Sequence, residues 1–129
     1  DVAIYCVSTS PETLKSKNPD IEIWAVEPEH AAMLSGGSIG THNQMGIGDG
    51  IIPVILNQSI IDDLCVIKDD EAITASKDLA AKEGIMCGIS SGTNVAAAIK
   101  LAKKLGKGKR VVTVLPDTAE RYFSTPLFE

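Results

Sequence analysis

Met86-Cys87-Gly88-Ile89-Ser90-Ser91-Gly92-Thr93-Asn94 joins a short apolar stretch to an alanine-rich segment, Val95 to Leu105, that reads as a helix. The turn carries two glycines, which let another group approach the backbone closely, and hydroxyls at Ser90 and Ser91. At a helix N-terminus the first N–H groups lack intrahelical partners and the dipole is positive, so a polar ligand is favoured there. Ser90, Ser91 or Thr93 equally suits the plainer role of helix cap. The surrounding chain has to separate the two roles.

Downstream, Gly106 ends the helix, Arg110 to Leu115 (RVVTVL) reads as a strand, and Pro116 to Thr125 as a polar loop. The inward face of Val95–Leu105 is expected to hold Val95, Ala98, Ile99, Ala102 and Leu105. Upstream, Asp69 or Asp70 is expected to cap a helix from Glu71 to about Glu83. Its stripe is Ala72, Ala75 and Leu79, flanked by Ile73 and Ala80, and Gly84 is its stop. Asp63 to Ile67 (DLCVI) precedes it as a strand. Ser35 to Gly50 holds six glycines in sixteen residues, too flexible for regular structure, and a loop that long in a compact domain is usually functional or disordered. Ile51 to Leu56 closes it with apolar residues. Earlier still come a strand at Asp1–Val7, a short helix at Thr13–Lys17, a break at Asn18-Pro19-Asp20, a strand at Ile21–Val26 and a helical turn or two over Glu29–Leu34.

Strands and helices alternate, and Val111–Leu115 has no clear polar face. The fold expected is therefore α/β, a mostly parallel open sheet with helices on both faces in three layers. Ligands of such sheets sit beyond the carboxyl ends of the strands. Three polar loops can meet there: Ser35–Gly50, Gly88–Asn94 and Pro116–Thr125. With 129 residues the chain is one domain, 1–129, long enough for a core.

A 44% hydrophobic and 22% charged composition suits a globular protein, and a net charge of −5 argues against a nucleic-acid surface. The one basic cluster, Lys100 to Arg110, straddles a helix C-terminus, where cations are favourable for dipole reasons alone. No apolar run is long enough for a membrane span, and no signal-like segment opens the chain as given, so a cytoplasmic location is expected. Cys6, Cys65 and Cys87 are widely spaced in apolar stretches, which suits buried, reduced thiols. His30 and His42 stand alone, and no metal site is expected.

Three stretches, His42-Asn43-Gln44-Met45-Gly46-Ile47-Gly48-Asp49-Gly50-Ile51-Ile52-Pro53, Gly88-Ile89-Ser90-Ser91-Gly92, and Leu115-Pro116-Asp117-Thr118-Ala119-Glu120-Arg121-Tyr122-Phe123-Ser124-Thr125, together resemble the carboxyl-terminal half of the cysteine synthases. These are the O-acetylserine sulfhydrylases among fold-type II pyridoxal-phosphate enzymes. Lys15–Pro28 (KSKNPDIEIWAVEP) extends the resemblance to about 110 residues.

The resemblance implies pyridoxal 5'-phosphate as cofactor, with Ser90 (Ser91 as the alternative) at the pyridine nitrogen and Pro116 and Asp117 walling the ring. It implies that Gly46-Ile47-Gly48 faces substrate, an amino acid. A neutral hydroxyl at the ring nitrogen, unlike a carboxylate, does not hold it protonated, which suits β-replacement better than fuller carbanion chemistry. Without the resemblance, Asp117 reads as a turn residue, Tyr122 as packing, Trp24 as core, Asp49 as a loop acceptor, and His42 as a hydrogen-bonded loop residue.

Other features depart from the family. None of the ten lysines lies in its cofactor-lysine motif, so no catalytic residue is assigned in this chain. The substrate-carboxylate loop is missing too. Cys6–Thr13 (CVSTSPET) stands where the family has a glycine/threonine phosphate loop, and Pro11 there lacks a backbone donor. Met45 and Ala119 replace the usual Gln and Gly.

The expectation is thus the incomplete carboxyl-terminal part of a cysteine synthase, a transferase replacing the acetoxy group of O-acetylserine with sulfide. The chain alone should be inactive, and it should pair as a homodimer or with the missing amino-terminal half. Alternatives are a cystathionine β-synthase- or dehydratase-like lyase, and a non-catalytic degenerate copy that binds a partner protein.

Overall fold

The computed structural model describes residues 2–5 and 10–129, with backbone only for Val2–Tyr5 and Ser10. Four strands, β1 (Val2–Tyr5), β2 (Glu22–Pro28), β3 (Asp63–Ile67) and β4 (Val111–Val112), form one sheet in the order β3-β2-β1-β4. Every pair is parallel. Val2 lies opposite Glu22 and Val111, and Trp24 opposite Asp63. Three helices connect the strands: α1 (Ser10–Lys17), α2 (Asp69–Glu83) and α3 (Ile89–Leu105). This is the α/β architecture the alternation predicts.

The chain runs from β1 to β2 to β3 in one direction, then returns across the sheet to β4. Right-handed crossovers therefore put α1 and the 29–62 segment on one face and α2–α3 on the other. Along β2, Trp24 and Val26 pack with Cys65, Ile67, Ala72, Ala75, Ala97 and Leu101 in the main core. Ile23, Ala25 and Glu27, alternating onto the opposite face, are buried too. Lys15 of α1 reaches Asp62 at 2.7 Å, and Asp62 also accepts the Ile23 N–H at 2.7 Å. Burial disfavours the Asp62 charge, but the Lys15 hydrogen bond and the Ile23 N–H outweigh it and hold the pKa below the usual value.

Several sequence expectations are corrected. The Gly88–Asn94 stretch is not a turn preceding a helix at Val95; the helix begins at Ile89 with Gly88 as N-cap. Ser90, Ser91 and Thr93 make no capping bond. The low helix propensity of Gly and Ser is overridden by packing, because Gly92 lies against the Ala72 carbonyl where a Cβ would collide. Ile89, Thr93, Ala97 and Leu101, four apart, are the buried row; of the residues expected inward, Val95, Ala98 and Leu105 pack partly buried against the core, while Ile99 is 47% exposed and Ala102 is exposed.

Neither Asp69 nor Asp70 caps α2. Lys68 is the N-cap, and its N–H donates to Glu71 Oε2 at 3.0 Å as in a capping box. Gly84, at φ 71°, stops that helix as expected. Glu29–Leu34 yields only a 3₁₀ turn, Glu29–Ala31. Among the described residues, the strand expected over Arg110–Leu115 pairs only at Val111–Val112. Beyond it, the Val114 carbonyl accepts from Asn94 Nδ2 at 2.8 Å instead of from a strand. Cys65 and Cys87 are free and buried, and burial pushes the Cys65 thiol up. The Cys6 reading and the Cys6–Thr9 part of the expected phosphate loop lie outside the described residues. No helix among the described residues is long and apolar enough to cross a membrane.

Candidate functional site

A cavity of about 410 Å³ opens at the carboxyl end of β2, where Ala25–Pro28 form one wall. Each of the three polar loops sends residues into it: Met45–Asp49 from the first, Ser90 from the second, and Pro116, Asp117 and Tyr122 from the third. Ile51, Ile52 and Leu56 make the lining largely apolar, as in most small-molecule sites, whose volumes this one matches. No lysine is among the described residues that line it.

The third loop is fixed against the start of α3. Cys87 and Thr118 form an antiparallel bridge, and the Gly88 N–H donates to the Asp117 carbonyl at 3.3 Å. A Cβ at Gly88 would strike the Asp117 carboxyl and the Tyr122 ring, so glycine is what lets this loop lie flat beside Ser90. Ser91 turns away from the cavity, is wholly buried, and approaches the Asp117 carbonyl and Oδ1 at 3.4 Å. Of the two serines, only Ser90 lines the cavity.

The Tyr122 hydroxyl donates to Asp117 Oδ2. Burial first, and then the bond to Asp117, pushes the phenol pKa up to about 12.

The glycine loop is held by polar groups. Gln44 is fully buried, and its Nε2 donates to the Ile67 carbonyl at 3.0 Å and to Asp69 Oδ1 at 2.9 Å. Its Oε1 accepts from Thr93 Oγ1 at 2.8 Å. Asp69 Oδ2 accepts the Asn43 N–H at 2.6 Å. His42 Nδ1 accepts the Gln44 N–H, which leaves Nε2 to donate to the Gly48 carbonyl at 3.2 Å. Gly48 itself, at φ 70°, is pressed by Pro28, Ala31 and His42. On the opposite wall, buried Glu27 accepts from the Leu34 N–H, the Ser35 N–H and the Ser35 hydroxyl.

The structure thus brings Ser90, Pro116, Asp117, Gly46, Ile47 and Gly48 to one cavity and leaves Ser91 behind them. Sequence reasoning passed over Gln44 and Glu27 and took Tyr122 for packing. For Tyr122 a signal existed, a phenol five residues after Asp117 in the same loop.

A parallel sheet whose strand-end cavity is entered by a helix start and a glycine loop is the ligand-binding arrangement of open, doubly wound α/β proteins. The family model described as pyridoxal-phosphate dependent enzyme matches residues 12–117, and the chain belongs to this family. Within it, the chain is 51% identical over 117 residues to a cysteine synthase of Staphylococcus aureus, covering 91% of this chain and 38% of that protein. It is 48% identical over 122 residues to cysteine synthase B of Campylobacter jejuni, covering 95% of this chain and 40% of that one. Among solved structures, O-acetylserine sulfhydrylase isoform 3 of Entamoeba histolytica superposes with a TM-score of 0.94 at 37% identity, over 99% of this chain and 40% of that one. An O-ureido-L-serine synthase does so at 0.93 and 36% identity, over 99% of this chain and 42% of that one. The chain therefore spans about two fifths of the length of these relatives.

The cavity fits one end of the family's cofactor. A flat ring has room along the apolar wall, Gly88 and Gly48 keep Cβ atoms out of the packing around it, and Ser90 puts a hydroxyl at the rim. Nothing among the described lining residues is a cation for the phosphate or an amine for covalent attachment.

Proposed function

We propose that this chain forms the carboxyl-terminal part of a cysteine synthase, which replaces the acetoxy group of O-acetylserine with sulfide. The observation that carries this reading is the convergence of Ser90, Pro116, Asp117 and Gly46–Gly48 on one cavity at the strand ends. Bound pyridoxal phosphate supplies the electron sink that makes a β-substituent of an amino acid replaceable. Ser90 hydrogen-bonds the ring nitrogen, and Pro116 and Asp117 wall the ring. Gly46-Ile47-Gly48 leaves its backbone free toward the amino-acid substrate, and the apolar wall excludes water. Catalytic attachment and phosphate binding fall to other residues of the assembled enzyme, and this chain alone turns over no substrate.

The exposed apolar residues Ile51, Val54, Ile55 and Phe123 suit a surface covered by the rest of the enzyme or by a second subunit. The assembled protein is a cytoplasmic homodimer in this reading. Titration with pyridoxal 5'-phosphate, followed by absorbance, tests the cofactor site, and Ser90→Ala is expected to weaken binding roughly tenfold, the scale of one lost hydrogen bond. Assay of the assembled enzyme with O-acetylserine and either sulfide or homocysteine tests the reaction. Preferential use of homocysteine, or turnover by the isolated chain, overturns the proposal.

A further inference from the structure

Gln44 is wholly buried although it lies in the long glycine connection, two residues before Gly46. Its amide can point only one way. Nε2 has two hydrogens, and the Ile67 carbonyl and Asp69 Oδ1 take both, at 3.0 and 2.9 Å. Turned over, the amide would set its oxygen against those two acceptors. Oε1 must therefore face a donor. Thr93 Oγ1 is that donor at 2.8 Å, sharing its one hydrogen with the Ile89 carbonyl at 3.1 Å.

Thr93 is wholly buried as well, and it stands three residues beyond Ser90 on α3. Its bond to Gln44 joins segments 49 residues apart in the chain. One is the helix start that brings Ser90 to the cavity; the other is the loop that brings Gly46-Ile47-Gly48 to it. Asp69, the first residue of α2, completes the clasp by accepting the Asn43 N–H at 2.6 Å. Neither Gln44 nor Thr93 lines the cavity, so whatever they do for a ligand they do through the residues they hold.

We infer that Gln44 and Thr93 are positioning residues whose hydrogen bond fixes the substrate-facing glycine loop in register with the cofactor-facing start of α3. This rests on the reading of the cavity as part of a pyridoxal-phosphate site and extends it to two residues behind the lining. With the bond in place, the amino-acid substrate meets a loop already ordered. Without it, binding has to supply that order, and the cost falls on substrate affinity.

The test compares Thr93→Val, which keeps the size of the side chain and removes the hydroxyl, with Thr93→Ser, which keeps the hydroxyl, both in the assembled enzyme. The first readout is hydrogen exchange, without ligands, at the Asn43, Gln44 and Met45 amides, all of which are hydrogen-bonded. Exchange there is expected to quicken roughly tenfold in Thr93→Val, the scale of one lost hydrogen bond, and to stay near the wild-type rate in Thr93→Ser. KM for O-acetylserine is expected to rise by a similar factor in Thr93→Val, with kcat within about twofold of wild type. Affinity for pyridoxal 5'-phosphate, followed by absorbance, should hold in both variants because Ser90 is untouched. Unaltered exchange in Thr93→Val overturns the inference, as does faster exchange with an unaltered KM. So does a KM defect that Thr93→Ser shares, or a loss of cofactor affinity as large as the rise in KM, since either marks general loosening. Thr93→Ala takes the place of Thr93→Val if that variant does not fold, under the same expectations. A wild type that neither binds pyridoxal 5'-phosphate nor uses O-acetylserine overturns the proposed function, and the exchange rates still decide whether the bond holds the loop.

Discussion

Gln44 and Val54 stand ten residues apart in one long connection, and they reverse the usual rule of burial. The amide is wholly inside, whereas the valine is as exposed as a side chain can be. Gln44 goes inside because each polar atom of its side chain finds a partner there, on Ile67, Asp69 and Thr93. Val54 stays outside, with Ile51 and Ile55, because no described element packs over it. The contrast extends to the surroundings of the cavity. Glu27 and Ser90 in its lining, and Gln44, Ser91, Thr93 and Asn94 outside the lining, form a lattice of buried polar residues, while the exposed Ile51, Val54 and Ile55 make a bare aliphatic lip. A lattice fixes geometry; a bare lip waits for a neighbour.

The largest effect belongs to the packing beneath that lattice. Gly92→Ala should gain about 1 kcal/mol of intrinsic helix propensity. Yet the new methyl would strike the Ala72 carbonyl and crowd Ser76 Cβ at 3.0 Å, forcing α2 and α3 apart. The net expected change is a loss of about 2–4 kcal/mol, measured by urea unfolding. Unchanged or raised stability would mean that the two helices do not meet there.

Gln44→Leu comes next. It keeps the volume but leaves the Ile67 carbonyl and Asp69 Oδ1 short of a donor, at about 2–3 kcal/mol. Hydrogen exchange at Gly46 and Gly48 should rise with it, since Gln44 anchors the loop that carries them. A variant as stable as the wild type, with exchange unaltered, would remove the distinction between lattice and lip.

Much of the sheet was legible because its signals are local. Asp63–Ile67 is a short apolar run with a helix stop signal following at Gly84, and it appears with those exact limits. The three loops could be placed at one end of the sheet from alternation alone. What stayed hidden is set by contacts between distant segments. The Gly88–Asn94 stretch looks like a turn by composition, and only the Ala72 carbonyl, twenty residues earlier, makes it helix. Ile99 looked inward because it is apolar and stands beside Ala98, yet the buried row through Ile89, Thr93, Ala97 and Leu101 leaves it 47% exposed. Gln44 gave no sign, because an amide in a glycine loop is ordinarily solvated. Its partners lie 23 to 49 residues away.

The smallest expected effect is the sharpest test of the other side of the comparison. Val54→Ser combined with Ile55→Ser removes two aliphatic side chains, which in a core would cost several kcal/mol. On the lip they have little to lose, Val54 being fully and Ile55 three-quarters exposed, so stability should shift by less than about 0.5 kcal/mol. What should change is association. Removing exposed apolar area weakens any contact that covers it, by roughly 25 cal/mol for each Å² no longer buried. Sedimentation of the double variant should show a larger monomer fraction than the wild type at equal concentration, with the same unfolding midpoint. A drop in stability above about 1 kcal/mol would place the segment in a packed interior, and Val54 would then obey the same rule as Gln44. Unchanged association with unchanged stability would leave the lip bare in the assembled protein too, and the covering neighbour would have to be sought at Phe123 instead.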